Sequence, residues 1–185
     1  PTYLGKQRRK NQAVQFRHQS TSLFRQLEIL TLREIEKDQF LPAYEKRTFA
    51  STVQLLNTLL DRIEIKRHNQ KAFSIHLRAN GDPIEPNAIS SGEAELIALG
   101  IEFLSFVKEA PTGKPSLLLV DEPDVHLHPD LQHRLAEFMV KVFEGSQVTL
   151  ILATHSTSLL YGISKASEAK VAFMRQGDQA LSFKP

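Results

Sequence analysis

Asp121 and Glu122 stand side by side directly after four aliphatic residues, Leu117-Leu118-Leu119-Val120. Two carboxylates closing an apolar run are costly to desolvate unless a cation or a bonded network holds them. If the run is a strand, neighbouring side chains leave it on opposite sides, so the two acids can do different work. One can hold a hydrated Mg²⁺ while the other orients or activates water. Acids also simply end strands, and that plain reading stands beside the first. A second apolar run, 148–153, closes on Ala153-Thr154-His155-Ser156. An imidazole there could hydrogen-bond a phosphoryl group in transfer or its attacking water; a structural histidine is the plain alternative. Upstream, Ser90-Ser91-Gly92 opens a long apolar stretch. Small hydroxyls and a glycine at a helix start leave free N–H groups and room for an anion, and can equally be an ordinary N-cap. Glu93 and Glu95, which follow, suit a helix N-terminus without themselves binding phosphate.

The elements around these residues have a regular rhythm. Residues 92–108 are apolar on nearly all sides, which predicts a deeply packed helix, and Pro111 to Pro115 read as a loop. Leu117–Val120 is a continuous apolar run of the kind that fills the middle of a parallel sheet. Pro129 suits the first position of a helix over 129–143, with Leu131, Leu135, Phe138, Met139, Val142 and Phe143 on its buried face. Val148–Ala153 is a second buried strand, and 171–174 a third strand of the same mainly parallel sheet. Strand, helix, strand, helix, strand predicts an open α/β sheet with its ligand beyond the carboxyl ends of the strands. Before residue 70 the texture differs. Residues 12–36 read as helical, Pro42 interrupts, and Phe49, Val53, Leu56, Leu59, Leu60 and Ile63 predict a helix over 46–66. Phe73, Ile75 and Leu77 then alternate with polar residues and lead into Asn80-Gly81, a strand and a tight turn. The organisation expected is a helical, basic segment over 1–70 and an α/β part over 71–185.

The chain has 185 residues, 41% hydrophobic and 24% charged, with no Cys and no Trp. It is too apolar for a disordered chain, and it carries no apolar run of the roughly 18 residues that a membrane span needs. The absence of cysteine excludes disulfides, thiolate nucleophiles and cysteine-type zinc sites together, and suits a reducing, cytoplasmic setting. Net charge is +2, but residues 1–80 hold 15 Lys/Arg against 7 Asp/Glu, and residues 81–185 hold 8 against 14. Lys6, Arg8, Arg9, Lys10 and Arg17 lie in a first twenty residues without an acid. Such a tract can follow the phosphates of DNA or RNA, or be a solvated face. The start at Pro1-Thr2-Tyr3 reads as a piece or processed form of something longer.

Ile89-Ser90-Ser91-Gly92-Glu93 resembles the signature motif of the ABC-type ATPases. Leu117-Leu118-Leu119-Val120-Asp121-Glu122-Pro123 resembles their Walker B strand, and Thr154-His155-Ser156 their switch histidine. The tail Asp124-Val125-His126-Leu127-His128-Pro129 is similar to that of OLD-like and AAA-type proteins of bacterial defence systems, a branch that also includes chromosome-maintenance and break-repair ATPases. Transporter-type members carry an Asp where this chain has His128. The resemblance, over about 70–175, implies a P-loop NTPase-like, mainly parallel sheet forming the C-terminal lobe of an ABC ATPase head. It implies ATP and Mg²⁺ as cofactors. Asp121 would bind the metal through water, Glu122 would polarise the attacking water, and His155 would contact the γ-phosphate. Ser90, Ser91 and Gly92 would close over the nucleotide of a second head, a homodimer, with Asp124 to His128 along the interface. No G-x-x-x-x-G-K-[ST] occurs: Gly113-Lys114 has Lys108 at the first glycine position and Pro115 after it, and Gly5-Lys6 continues to Gln7. Without that loop nothing cradles the α- and β-phosphates, so an upstream Walker A half is the implied partner and the chain alone is expected to be inactive. Two other readings stay open. One is an ABC-like interaction module without catalysis. The other is a metal-dependent hydrolase using Asp124, His126, His128 and His133.

Overall fold

The computed structural model describes residues 51–69, 72–111, 113–166, 169–173 and 182–183, together with Arg25, Glu28 and Ile29. Those three residues are helical; the rest of the helix expected over 12–36, and the basic first twenty residues, lie outside the described residues.

The chain enters through helix α1 (Ser51–Asn57) and a hairpin of β1 (Ile63–Asn69) and β2 (Ala72–Leu77), with Ile65 opposite Ile75. The helix expected over 46–66 therefore stops at Asn57 and gives way to a strand at Ile63; its first residues, 46–50, lie outside the described residues. Asn57 accounts for the break. Its side-chain oxygen accepts from the Ile65 N–H at 2.8 Å and its amide donates to the Ile65 carbonyl at 3.0 Å. An asparagine side chain competes with the helix for backbone partners, and here it turns the chain and fixes the strand at once. The boundary expected near residue 70 falls inside this hairpin. The strand and turn read from Phe73 to Gly81 are present, Gly81 taking a φ of 76° before β3 (Pro83–Ile84) pairs with β2.

The α/β portion follows the expected order: α2 (Ser91–Glu109), β4 (Ser116–Asp121), α3 (Pro129–Phe143), β5 (Val148–Ala153) and α4 (Thr157–Ile163). Strands β4 and β5 run parallel in unbroken register from Ser116 opposite Val148 to Asp121 opposite Ala153. The expectation for 171–174 needs correction. Ala172–Phe173 (β6) pairs antiparallel with Ser182–Phe183 (β7), and these two form a sheet separate from β4–β5. A short apolar run predicts a strand without saying which strand it joins.

Leu56, Leu59, Ile63, Ile75, Leu96, Ile101, Leu135 and Phe138 form one core shared by α1, the hairpin, α2 and α3. Burial of each such side chain is worth about 1.5–3 kcal/mol. Leu118, Val120, Leu150 and Leu152 pack one face of β4–β5 against this core. The other face carries Leu117, Leu119 and Ile151, which are 53%, 67% and 53% exposed. Parallel sheets ordinarily have both faces covered. No helix among the described residues is long and apolar enough to cross a membrane.

Candidate functional site

The flush register of β4 and β5 brings their carboxyl ends level, and this places the chemistry found in the sequence at one edge. Asp121 is the last residue of β4, and among the described residues no hydrogen bond or ion pair engages its exposed carboxylate. Glu122 does not continue the pleat, contrary to the simple strand picture of two acids on opposite sides. It adopts a left-handed backbone with φ 44°, a conformation that costs a residue with a Cβ roughly 1–2 kcal/mol. Its N–H donates to the Ala153 carbonyl at 2.9 Å, locking the turn onto the end of β5. The turn presents the carboxylate to His155, with Oε1 lying 3.4 Å from Nε2. Both side chains face solvent, His155 at 93% and Glu122 at 46% exposure, so the contact adds little stability. Two such groups at the sheet edge can share or pass a proton and bind the same incoming group.

Beside this exposed pair the two strand-end loops are tied by polar groups that are buried at Asp124 and partly buried at Thr154, Ser156 and Gln132. Asp124 is 5% exposed, and its carboxylate accepts from the Thr154 hydroxyl. Thr154 Oγ1 in turn accepts from the Ser156 N–H at 2.9 Å. From the first turn of α3, Gln132 donates through Nε2 to the carbonyls of Leu127 (2.9 Å) and Asp124 (3.1 Å) and accepts from Ser156 Oγ at 2.6 Å. Ser156 Oγ also caps α4 by accepting from Leu159 N–H at 3.0 Å.

His128 takes the N-cap position of α3 and faces Asp130, with Nδ1 3.4 Å from Oδ2. His133 sits against Glu137 at 3.4 Å, one turn on. Asp124, His128 and His133 thus face different partners. No group of three or more His, Cys, Asp or Glu among the described residues is placed to hold a metal ion, so the geometry gives the metal-hydrolase alternative no ligand set.

Ser90 is the N-cap of α2 in a complete capping box: its Oγ accepts from Glu93 N–H at 3.2 Å, and Glu93 Oε2 accepts from Ser90 N–H at 3.1 Å. Ser91 is exposed on the first turn. Gly92 packs against α3, where a Cβ would lie 2.7 Å from Leu131 Cδ1, the tip of a side chain that would have to shift. The buried Glu93 carboxylate also receives Arg62 from the β1 side, Nη2 to Oε2 at 2.7 Å and Nε to Oε1 at 3.2 Å. Burial pushes the Glu93 carboxyl up, but the hydrogen bonds from Arg62 and Ser90 outweigh it and leave its pKa below the ordinary value. The hydrogen bond to Glu93 raises Arg62 in turn. The structure brings Asp121, Glu122 and His155 together, with Asp124 below them. Among the described residues, no hydrogen bond or ion pair links the start of α2 to that group.

Sequence reasoning passed over Gln132 and Ser156 as parts of the site. The only available signal was a polar residue with three hydrogen-bonding groups in the first turn of a helix that leaves the strand-end loop.

The description "AAA domain, putative AbiEii toxin, Type IV TA system" matches residues 8–160. The "Retron Vc95 probable ATPase" of Vibrio cholerae serotype O1 biovar El Tor is 27% identical over 122 residues, 63% of this chain and 23% of the relative. "Protein ea59" of Escherichia phage lambda is 36% identical over 64 residues, 35% of this chain and 12% of the relative. The chain thus spans a quarter or less of the length of these curated relatives. Among solved structures, the SMC head domain from Thermotoga maritima is similar at 15% identity and a TM-score of 0.51, covering 84% of this chain and 51% of that one. A structure described as "Structural biochemistry of ATP-driven dimerization and DNA stimulated activation of SMC ATPases" gives 19% identity, a TM-score of 0.50 and coverage of 72% and 81%. These likenesses establish an α/β fold of the SMC-head kind, with parallel and antiparallel strands flanked by helices. With a match over most of its length, the chain belongs to the AAA-domain family that carries the AbiEii description.

Proposed function

We propose that this chain is the C-terminal part of an ATP-hydrolysing head, in which two heads close on nucleotide and an upstream half of the same protein supplies the phosphate-cradling loop. The observation that carries the reading is the alignment of Asp121, Glu122 and His155 at the level carboxyl ends of two parallel strands, with Glu122 and His155 3.4 Å apart. Mg²⁺ bound with ATP supplies the charge neutralisation that phosphoryl transfer requires. The donor set suits it: one strand-end carboxylate, without a partner among the described residues, matches a cation held mainly by water and phosphate oxygens. Asp121 would hold that cation. Glu122 orients and polarises the attacking water, and His155 donates to the terminal phosphate. Ser90, Ser91 and Gly92 close over the nucleotide of the second head. The loop from Asp124 to His128 runs along the interface, Asp124 acting from inside it.

The bare face of β4–β5 supports the missing half. Leu117, Leu119 and Ile151 are exposed on it, and a face of a parallel sheet is ordinarily covered by helices, which an attached lobe would supply. The toxin–antitoxin description and the retron relative favour a defence setting over transport. The basic tract over residues 6–17 supports DNA or RNA as a partner of the intact protein.

The test uses the intact protein and the 185-residue chain. In the intact protein, Glu122→Gln should keep ATP binding, lower turnover roughly 10²–10⁴-fold and accumulate the ATP-bound dimer. Calorimetric titration of the 185-residue chain with Mg-ATP should show no binding below roughly 1 mM, because scattered polar contacts in water are individually weak. Unchanged turnover in Glu122→Gln assigns the water to another group. Micromolar binding by the 185-residue chain that disappears with Asp121→Ala reveals a self-contained site and removes the half-head reading.

A further inference from the structure

We infer that Gln132 is a positioning residue that sets the distance between Glu122 and His155. The two exposed side chains have little of their own to hold them, since a solvated contact at 3.4 Å is too weak to define a geometry. Their separation is therefore decided by where the two loop backbones lie, and one side chain bonds to both. Gln132 donates to the carbonyls of Asp124 and Leu127 in the loop after β4 and accepts from Ser156, the residue after His155. A primary amide is the side chain that can do this, with two donors and an acceptor on one planar group. The orientation is fixed by its neighbours: reversing the amide would set its oxygen against two carbonyl oxygens. The Glu122 N–H bond to the Ala153 carbonyl and the Asp124–Thr154 hydrogen bond also tie the two loops, but both reach residues before His155, while Gln132 reaches the residue after it. The positive φ of Glu122 makes the clamp necessary, because an unfavourable backbone conformation persists only where its surroundings over-determine it.

The inference rests on the ATPase reading of Glu122 and His155, and the experiment separates the two. In the intact protein, kcat and KM for Mg-ATP are measured for wild type, Glu122→Gln, Gln132→Leu and Gln132→Glu. Leucine keeps the volume and removes all three bonds; glutamate keeps the shape and the acceptor but sets a carboxylate oxygen against the two carbonyls. Both Gln132 variants should lose roughly 10- to 100-fold in kcat with KM within about threefold, since a misplacement near 1 Å costs on the order of 10²-fold. Amide exchange adds a readout independent of turnover. In Gln132→Leu the Ser156 and Leu159 amides should exchange at least about tenfold faster, while β4 and β5 amides keep wild-type protection. A kcat within twofold of wild type in a folded Gln132 variant, with Glu122→Gln inactive, overturns the positioning role and leaves the ATPase reading standing. Wild-type turnover in Glu122→Gln removes both. Loss of the fold in both Gln132 variants makes the residue a purely structural one and also overturns the inference.

Discussion

Replacing Arg62 by alanine isolates the electrostatics that hold the start of α2. The Glu93 side chain is 8% exposed and Arg62 49% exposed, so the pair is neither a surface contact nor a fully desolvated one. Arg62→Ala removes two charge-assisted hydrogen bonds and leaves the carboxylate with only its Ser90 partners. Hydrogen bonds to charged groups are worth about 1.5–3 kcal/mol each. The half-exposed guanidinium and the surviving Ser90 bonds bring the expected total to about 2 kcal/mol, above the 0–1 kcal/mol of a solvated pair. The pH dependence supplies the sign. With Arg62 present, Glu93 is depressed below its ordinary 4.5, so the stability it contributes is complete above that value and is lost as pH falls through the lower folded pKa. Without Arg62, burial still pushes the carboxyl up and only the Ser90 hydrogen bonds oppose it, so the carboxyl protonates at a higher pH than in wild type. The difference between wild type and Arg62→Ala should therefore be greatest at neutral pH and shrink below about pH 4.5 as the carboxyl protonates in both. Urea unfolding of the 185-residue chain from pH 7 downward measures it. A difference under about 0.5 kcal/mol at pH 7, or one that grows on acidification, refutes the reasoning.

Two further substitutions test backbone and packing. Glu122→Gly should raise stability by a net 0.5–1 kcal/mol, roughly, by relieving the left-handed backbone against glycine's greater unfolded freedom, while abolishing turnover in the intact protein. A lower melting temperature would show that Glu122 side-chain contacts outweigh its backbone. Gly162→Ala should cost about 2–3 kcal/mol, because the new methyl would overlap the Ala136 Cβ, which is fixed to the α3 backbone and cannot swing away; a thermal shift near zero would mean that α4 slides freely on α3.

Legibility in the sequence followed the kind of signal each element carries. Residues 129–143 and 148–153 were readable to the residue because Pro129 marks a start and an uninterrupted apolar run marks a buried strand. Leu56, Leu59, Leu60 and Ile63 misled because their spacing suits a helix while Ile63 and Ile65 equally suit a strand, and the decision was made by a local Asn57 bond that periodicity cannot encode. The run at 171–174 misled differently, since its strand character was right and its partner wrong.

For the proposed site, the residues that face solvent are the ones a sequence can point to. Asp121, Glu122 and His155 announce themselves because polar groups at the ends of apolar strands break a pattern. The groups that fix them leave no such mark: Gln132 is a polar residue on an amphipathic helix and Ser156 an ordinary N-cap. The positive φ of Glu122 is still less visible, because glutamate gives no sign that it will adopt a glycine-like conformation. This division has a physical cause. Groups that meet a substrate must be exposed and chemically distinctive, whereas the groups that hold them need only a buried hydrogen bond of the right length. Site geometry therefore depends on common residues whose role appears only once two loops distant in sequence are brought side by side, as the parallel register of β4 and β5 brings residues 122–128 against 154–156.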